Sequence, residues 1–172
     1  PASTGLVRTD PAIRLNASPS PGLAQRGPVS LFSQSGAVGA MVSAGVKRRG
    51  VGISTSISAG NRADVSGNDA MQFFEADPHT AAVGVYLESF GNPRKFSRIA
   101  RALAANKPVI VVKSPMEEVP GHRVRSTTVR PHAFGAIMAQ AGVIHVENVH
   151  QMFDAAQLLL HQPRPEGNRV AI

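Results

Sequence analysis

The sequence contains no cysteine, so disulfide staples, thiolate metal sites and a cysteine nucleophile are excluded by inventory. Aromatics are scarce, seven phenylalanines and one tyrosine, and most stand at core spacing instead of between charges. No apolar run is long enough to cross a bilayer: the longest near-continuous one, 37–46, is about half of the roughly 20 residues a span needs, and glycine and serine dilute it. Acidic residues are the minority sign, 11 against 18 basic, for a net charge of +7. The basic residues are mostly arginine and lie scattered (Arg8, Arg14, Arg48, Arg49, Arg62, Arg98, Arg101, Arg123, Arg125, Arg130), with no clustered stripe and no nucleic-acid module. No nucleic-acid partner and no membrane are expected; an anionic small molecule or an acidic partner domain explains the excess. The histidines (His79, His122, His132, His145, His150, His161) lack ligand spacing with carboxylates, so no metal is expected. The first residue is not Met, no charged-then-apolar leader follows, and residues 169–172 resemble a strand just begun. The expectation is a segment of a larger cytoplasmic protein.

What is present suits one α/β core, with 172 residues and 42% hydrophobic content. Residues 1–27 are rich in proline, glycine, serine and asparagine without helical or strand period, and read as a linker or arm. From 28 to 162 short β-rich runs alternate with helical patterns, and 163–172 read as a second linker and the start of a following domain. Strands are expected over 29–33, 52–58, 81–87, 108–113 and 143–146. Helices are expected over 35–48 with Gly50 as a left-handed cap, over 69–76 with Ala70, Phe73 and Phe74 on one face, from Asn92-Pro93, over 131–141, and from Asn148. The Val-Ile-Val-Val run at 109–112 suggests a central strand buried on both faces. Residues 114–130 are too long for an ordinary connection and form a candidate functional loop. The expected fold is flavodoxin-like, a three-layer, doubly wound parallel sheet of five strands in the order 2-1-3-4-5, with its ligand crevice between the carboxyl ends of the first and third strands.

Two features converge on that crevice. The first strand ends in Ser33-Gln34-Ser35-Gly36 and runs into a helix of small residues, where free N–H groups favour an anion. The third strand ends in Glu88. Each has an ordinary explanation: Ser35 as a helix cap, Glu88 as a solvated strand end, Gly60-Asn61 as a turn pair. The conjunction of a serine-glycine helix start with a facing carboxylate is what points to a site.

The segments Val29-Ser-Leu-Phe-Ser-Gln-Ser-Gly-Ala-Val-Gly39, Ser58-Ala-Gly-Asn-Arg-Ala-Asp-Val65, Asp69 with Phe73-Phe-Glu-Ala-Asp77, Val85-Tyr-Leu-Glu-Ser89, Lys107-Pro-Val-Ile-Val-Val-Lys-Ser114 and Gln140-Ala-Gly-Val-Ile144 resemble the nucleotide-diphosphate-forming acyl-CoA synthetases and the α subunit of succinyl-CoA synthetase. The similarity is to their second, flavodoxin-like domain, which follows a CoA-binding Rossmann domain. It implies a phosphate or ligand site at Ser33, Gln34, Ser35, Gly36, Gly60 and Asn61, with Glu88 as the partner of a phosphohistidine. The sequence departs from the family at that histidine. The best register puts Ser126-Thr127-Thr128 there, and the loop is shorter with no following glycine. A threonine hydroxyl cannot replace it, because relay needs a nucleophilic nitrogen whose phosphoramidate passes the group on. Gly121-His122 mimics the family segment only in part. The resemblance therefore implies a degenerate module of the kind fused to GNAT acetyltransferases, sensing or binding acyl-CoA. Acetyl-CoA or CoA would be the parent protein's cofactor, a nucleotide could join it, none would be covalently bound, and a Rossmann CoA-binding domain and a third ligase-like domain would be its neighbours. Two other readings stay open: an active acid–CoA ligase using His122, and a structural domain that binds no ligand.

Overall fold

A computed structural model describes residues 3–60, 64–89, 91–114, 131–163 and 167, apart from the side chains of 40, 43, 44, 46, 47, 131 and 132. The sheet has seven strands: β1 (Gly5–Arg8), β2 (Leu15–Ala17), β3 (Arg26–Ser33), β4 (Ile53–Ser58), β5 (Ala82–Leu87), β6 (Val109–Lys113) and β7 (Ile144–Val146), in the order β2-β1-β4-β3-β5-β6-β7. From β4 to β7 all pairings are parallel and reproduce the expected doubly wound order. The linker expected over 1–27, and with it the five-stranded sheet, needs correction. Residues 5–17 form an antiparallel pair that extends the sheet, with β1 on β4 through Leu6↔Ile57 and Arg8↔Thr55. Strands of three or four residues among prolines carry too little alternation to be read, and their partner lies some fifty positions away in sequence.

The helices α1 (Gly36–Arg49), α2 (Gly67–Ala76), α3 (Pro93–Asn106), α4 (Pro131–Gln140) and α5 (Val149–His161) cover both faces. One layer packs Val38, Val42, Met152 and Phe153 against Val29, Leu31, Ile53, Ile110 and Val112. The other packs Met71, Phe74, Phe96, Leu103, Phe134 and Met138 against Phe32, Val83, Val85, Val109 and Val111. Consecutive residues of β6 thus enter opposite layers, which is why that run has no polar alternation. On α2 the sequence expectation fails at one position: Phe73 is 46% exposed while Met71 is fully buried. Phe73 lies instead beneath the Arg8 guanidinium, 5.3 Å from ring centre to Cζ.

Local signals set the helix ends. Asn92 accepts from Arg94 and Lys95 N–H, Asn148 accepts from Gln151 N–H, and Gly50 closes α1 at φ 66°. Helix α2 starts earlier than expected, at Gly67, because the Asp69 carboxylate accepts from both the N–H and the hydroxyl of Ser66.

Candidate functional site

Helix α1 leaves β3 on one face of the sheet toward β4, and α3 leaves β5 on the other face toward β6, so the crossovers diverge where β3 lies beside β5. At the carboxyl end of β3, the Ser33 hydroxyl donates to Ser35 O at 2.8 Å and accepts from Ser35 N–H at 3.1 Å. This closes a tight turn, and Ser35 then caps α1 in extended geometry, with Val38 N–H at 3.5 Å from its hydroxyl. That cap is long, so the hydroxyl is only weakly committed to the helix. The next two amides, Gly36 and Ala37, belong to the first turn and have no protein acceptor among the described residues. No acidic side chain stands in that turn, so the positive end of the helix dipole is uncompensated.

The sequence-derived residues do meet. Gln34 is 5% exposed and its side chain turns inward. Its Oε1 accepts from Glu88 N–H at 2.6 Å and Ser89 N–H at 2.9 Å, and its Nε2 donates to Ser89 O at 2.8 Å. Gln34 N–H also continues the ladder to Tyr86 O at 3.2 Å. Ser35 and Glu88 therefore follow the carboxyl ends of two neighbouring strands, β3 and β5. Glu88 is exposed, and its carboxylate has no hydrogen bond or ion pair among the described residues. On the other flank Ala59 N–H reaches Ser33 O at 3.0 Å, and Gly60 turns the chain at φ 56°, so Gly60 joins the same rim. Asn61, His122 and Ser126-Thr127-Thr128 lie outside the described residues.

A second polar centre, at the amino end of the sheet, was not legible in the sequence. Arg8 Nη1 and Nη2 donate to Asp77 at 3.2 and 3.0 Å, Nη2 also to Asp10 at 3.1 Å, and Nη1 to Thr55 at 2.9 Å. Thr80 and Ser54 hydroxyls add bonds to Asp77 at 2.6 and 3.2 Å. Burial pushes the Asp77 carboxyl up, but Arg8, Thr80 and the His79 amide outweigh it and hold it at about 2. The cluster fastens the β1–β2 pair to the sheet and is remote from Ser35, since it surrounds the entry to β5 and not its exit.

The profile of the succinyl-CoA ligase like flavodoxin domain matches residues 26–159. The chain is 33% identical to the α subunit of ADP-forming acetate–CoA ligase I of Pyrococcus furiosus, over 98% of this chain and 37% of that protein. It is 34% identical to the ADP-forming acetate–CoA ligase I of Archaeoglobus fulgidus, over 98% of this chain and 25% of that protein. The dinucleotide-forming acetyl-coenzyme A synthetase 1 of Ca. Korarchaeum cryptofilum, solved in complex with phosphate and ADP, superposes with a TM-score of 0.85 at 33% identity, over 96% of this chain and 36% of that one. The chain thus spans roughly a quarter to a little over a third of the relatives it matches.

Proposed function

Because this chain belongs to the family of succinyl-CoA ligase-like flavodoxin domains, we propose that it is the anion-binding, ligase-like unit of a larger acyl-CoA-handling protein, without phosphohistidine turnover of its own. The observation that carries the reading is the serine-led start of α1 at the crevice, with no acidic residue in its first turn; Glu88, on the neighbouring strand end, tunes the affinity of that site for an anion. The amides of Gly36 and Ala37, which have no acceptor among the described residues, suit a phosphoryl group, whether of CoA, a nucleotide or free phosphate. The relatives support the choice of ligand class, since they are acetate–CoA ligases and a synthetase solved with phosphate and ADP. Loss of turnover is argued from the sequence: Thr127 stands where the family's histidine belongs, and a hydroxyl cannot relay phosphate as an imidazole does. The finer assignment, to acyl-CoA sensing beside a GNAT acetyltransferase in a cytoplasmic polypeptide that also carries Rossmann and third ligase-like domains, rests on resemblance alone.

A second reading is an active acid–CoA ligase that uses His122, in keeping with relatives that are themselves ADP-forming ligases. Full-length protein given acetate, coenzyme A and a nucleoside triphosphate should form no acyl-CoA. Synthesis abolished by His122→Ala, with phosphohistidine detected at His122, would establish the second reading instead. Calorimetry of the full-length protein with phosphate, acetyl-CoA and nucleotides tests the ligand site itself; no binding by any of them would leave a structural domain.

A further inference from the structure

We infer that Gln34 is a positioning residue: its buried side-chain amide fixes the Glu88 strand end against the start of α1, so that the carboxylate and the helix amides act as one rigid site. Three bonds from one amide, at 2.6, 2.9 and 2.8 Å, satisfy two N–H groups and one carbonyl of the 88–89 segment. Those groups lie beyond Tyr86, the last β5 residue paired to β3, so on that side Gln34 carries on the link between the two strands. Gln34 in turn is held by its own N–H on Tyr86 O and by its neighbour Ser35, which opens α1. At 5% exposure it has little surface left for a ligand, so its role differs from that of Ser35 and Gly36. A buried amide with its polar atoms paired rigidifies what it joins, and leaving two N–H groups unpaired would release the 88–89 segment.

This inference rests on the reading of the crevice as an anion site, and the test separates the two. Inorganic phosphate is titrated into the full-length polypeptide carrying Glu88→Gln, Gln34→Met, and both. Removing the Glu88 charge should strengthen phosphate binding about threefold, the scale of a like-charge interaction near a surface. With Gln34→Met already present, Glu88→Gln should change affinity less than about 1.5-fold, because the carboxylate is no longer held in place. If Gln34→Met does not fold, Gln34→Asn serves, since one methylene less withdraws the amide from the 88–89 segment. A Glu88 effect of unchanged size in the Gln34 variants, even with lowered thermal stability, reduces Gln34 to ordinary scaffolding and overturns the inference alone. Absence of phosphate binding by the unsubstituted protein overturns both it and the reading of the site.

Discussion

Ser35 and Arg8 do opposite kinds of work with their polar atoms. Ser35 holds a long cap bond and stands beside unused amides, so its hydroxyl is poised for a ligand as well as for the helix. Because that bond is long, Ser35→Ala should cost only about 0.5 kcal/mol of stability, the low end of N-cap losses, and should also weaken phosphate binding; urea unfolding and phosphate titration on the same variant check both. The Arg8 Nη atoms are engaged, while Nε is buried with no partner among the described residues. It faces a carboxylate only 1% exposed, and breaking such a pair strands a charge. Arg8→Met should therefore destabilise by about 3 kcal/mol, read from urea midpoints. The same pair sets an acid limit. Asp77 is lowered from 3.8 to about 2 on folding, so its contribution is complete above the unfolded value and is lost as pH falls from about 4 toward 2. That loss amounts to ~2 kcal/mol. Unfolding free energy measured across this range should fall in the parent chain, and the fall should be smaller in Asp77→Asn.

Among the elements, the parallel core declares itself and the close approaches do not. The caps at Ser35, Asn92 and Asn148, the Pro93 start and the Gly50 stop are all short-range signals, and the helices begin or end within a few residues of them. Glycine pairing across strands has no such local mark. A Cβ on Gly52 would stand 2.0 Å from Arg26 O, and one on Gly27 2.2 Å from Gly52 Cα, where the β3–β4 register shifts. Since the obstacle is backbone and cannot swing aside, Gly52→Ala should destabilise by about 3 kcal/mol, the upper end for overpacking. Gly84→Ala meets only the ends of the Leu31 and Met152 side chains, and should cost distinctly less. Thermal unfolding of the two variants in parallel gives the comparison.

For the whole molecule, the antiparallel β1–β2 pair is the feature that changes the architecture. It covers the edge of β4 and supplies Arg8 to Asp77, so deletion of residues 1–17 would expose a sheet edge and a buried carboxylate together. The truncated chain should be recovered mainly as aggregate, judged by solubility and light scattering, while Arg8→Met in the intact chain remains soluble. The sequence alone determined the five β/α units, the caps of α1, α3 and α5, the double burial of β6 and, once the doubly wound order is taken, the approach of Ser35 and Glu88 to one crevice. Each depends on spacing within a few residues or on the handedness of parallel crossovers. Tertiary structure alone decided that Gly5–Arg8 and Leu15–Ala17 are strands, that Phe73 covers Arg8 instead of filling the core, that Arg8 neutralises a carboxylate 69 positions away, and that Gln34 faces inward to the 88–89 segment. Those outcomes depend on which distant groups need a partner once water is removed, and that need arises only when the chain has closed around them.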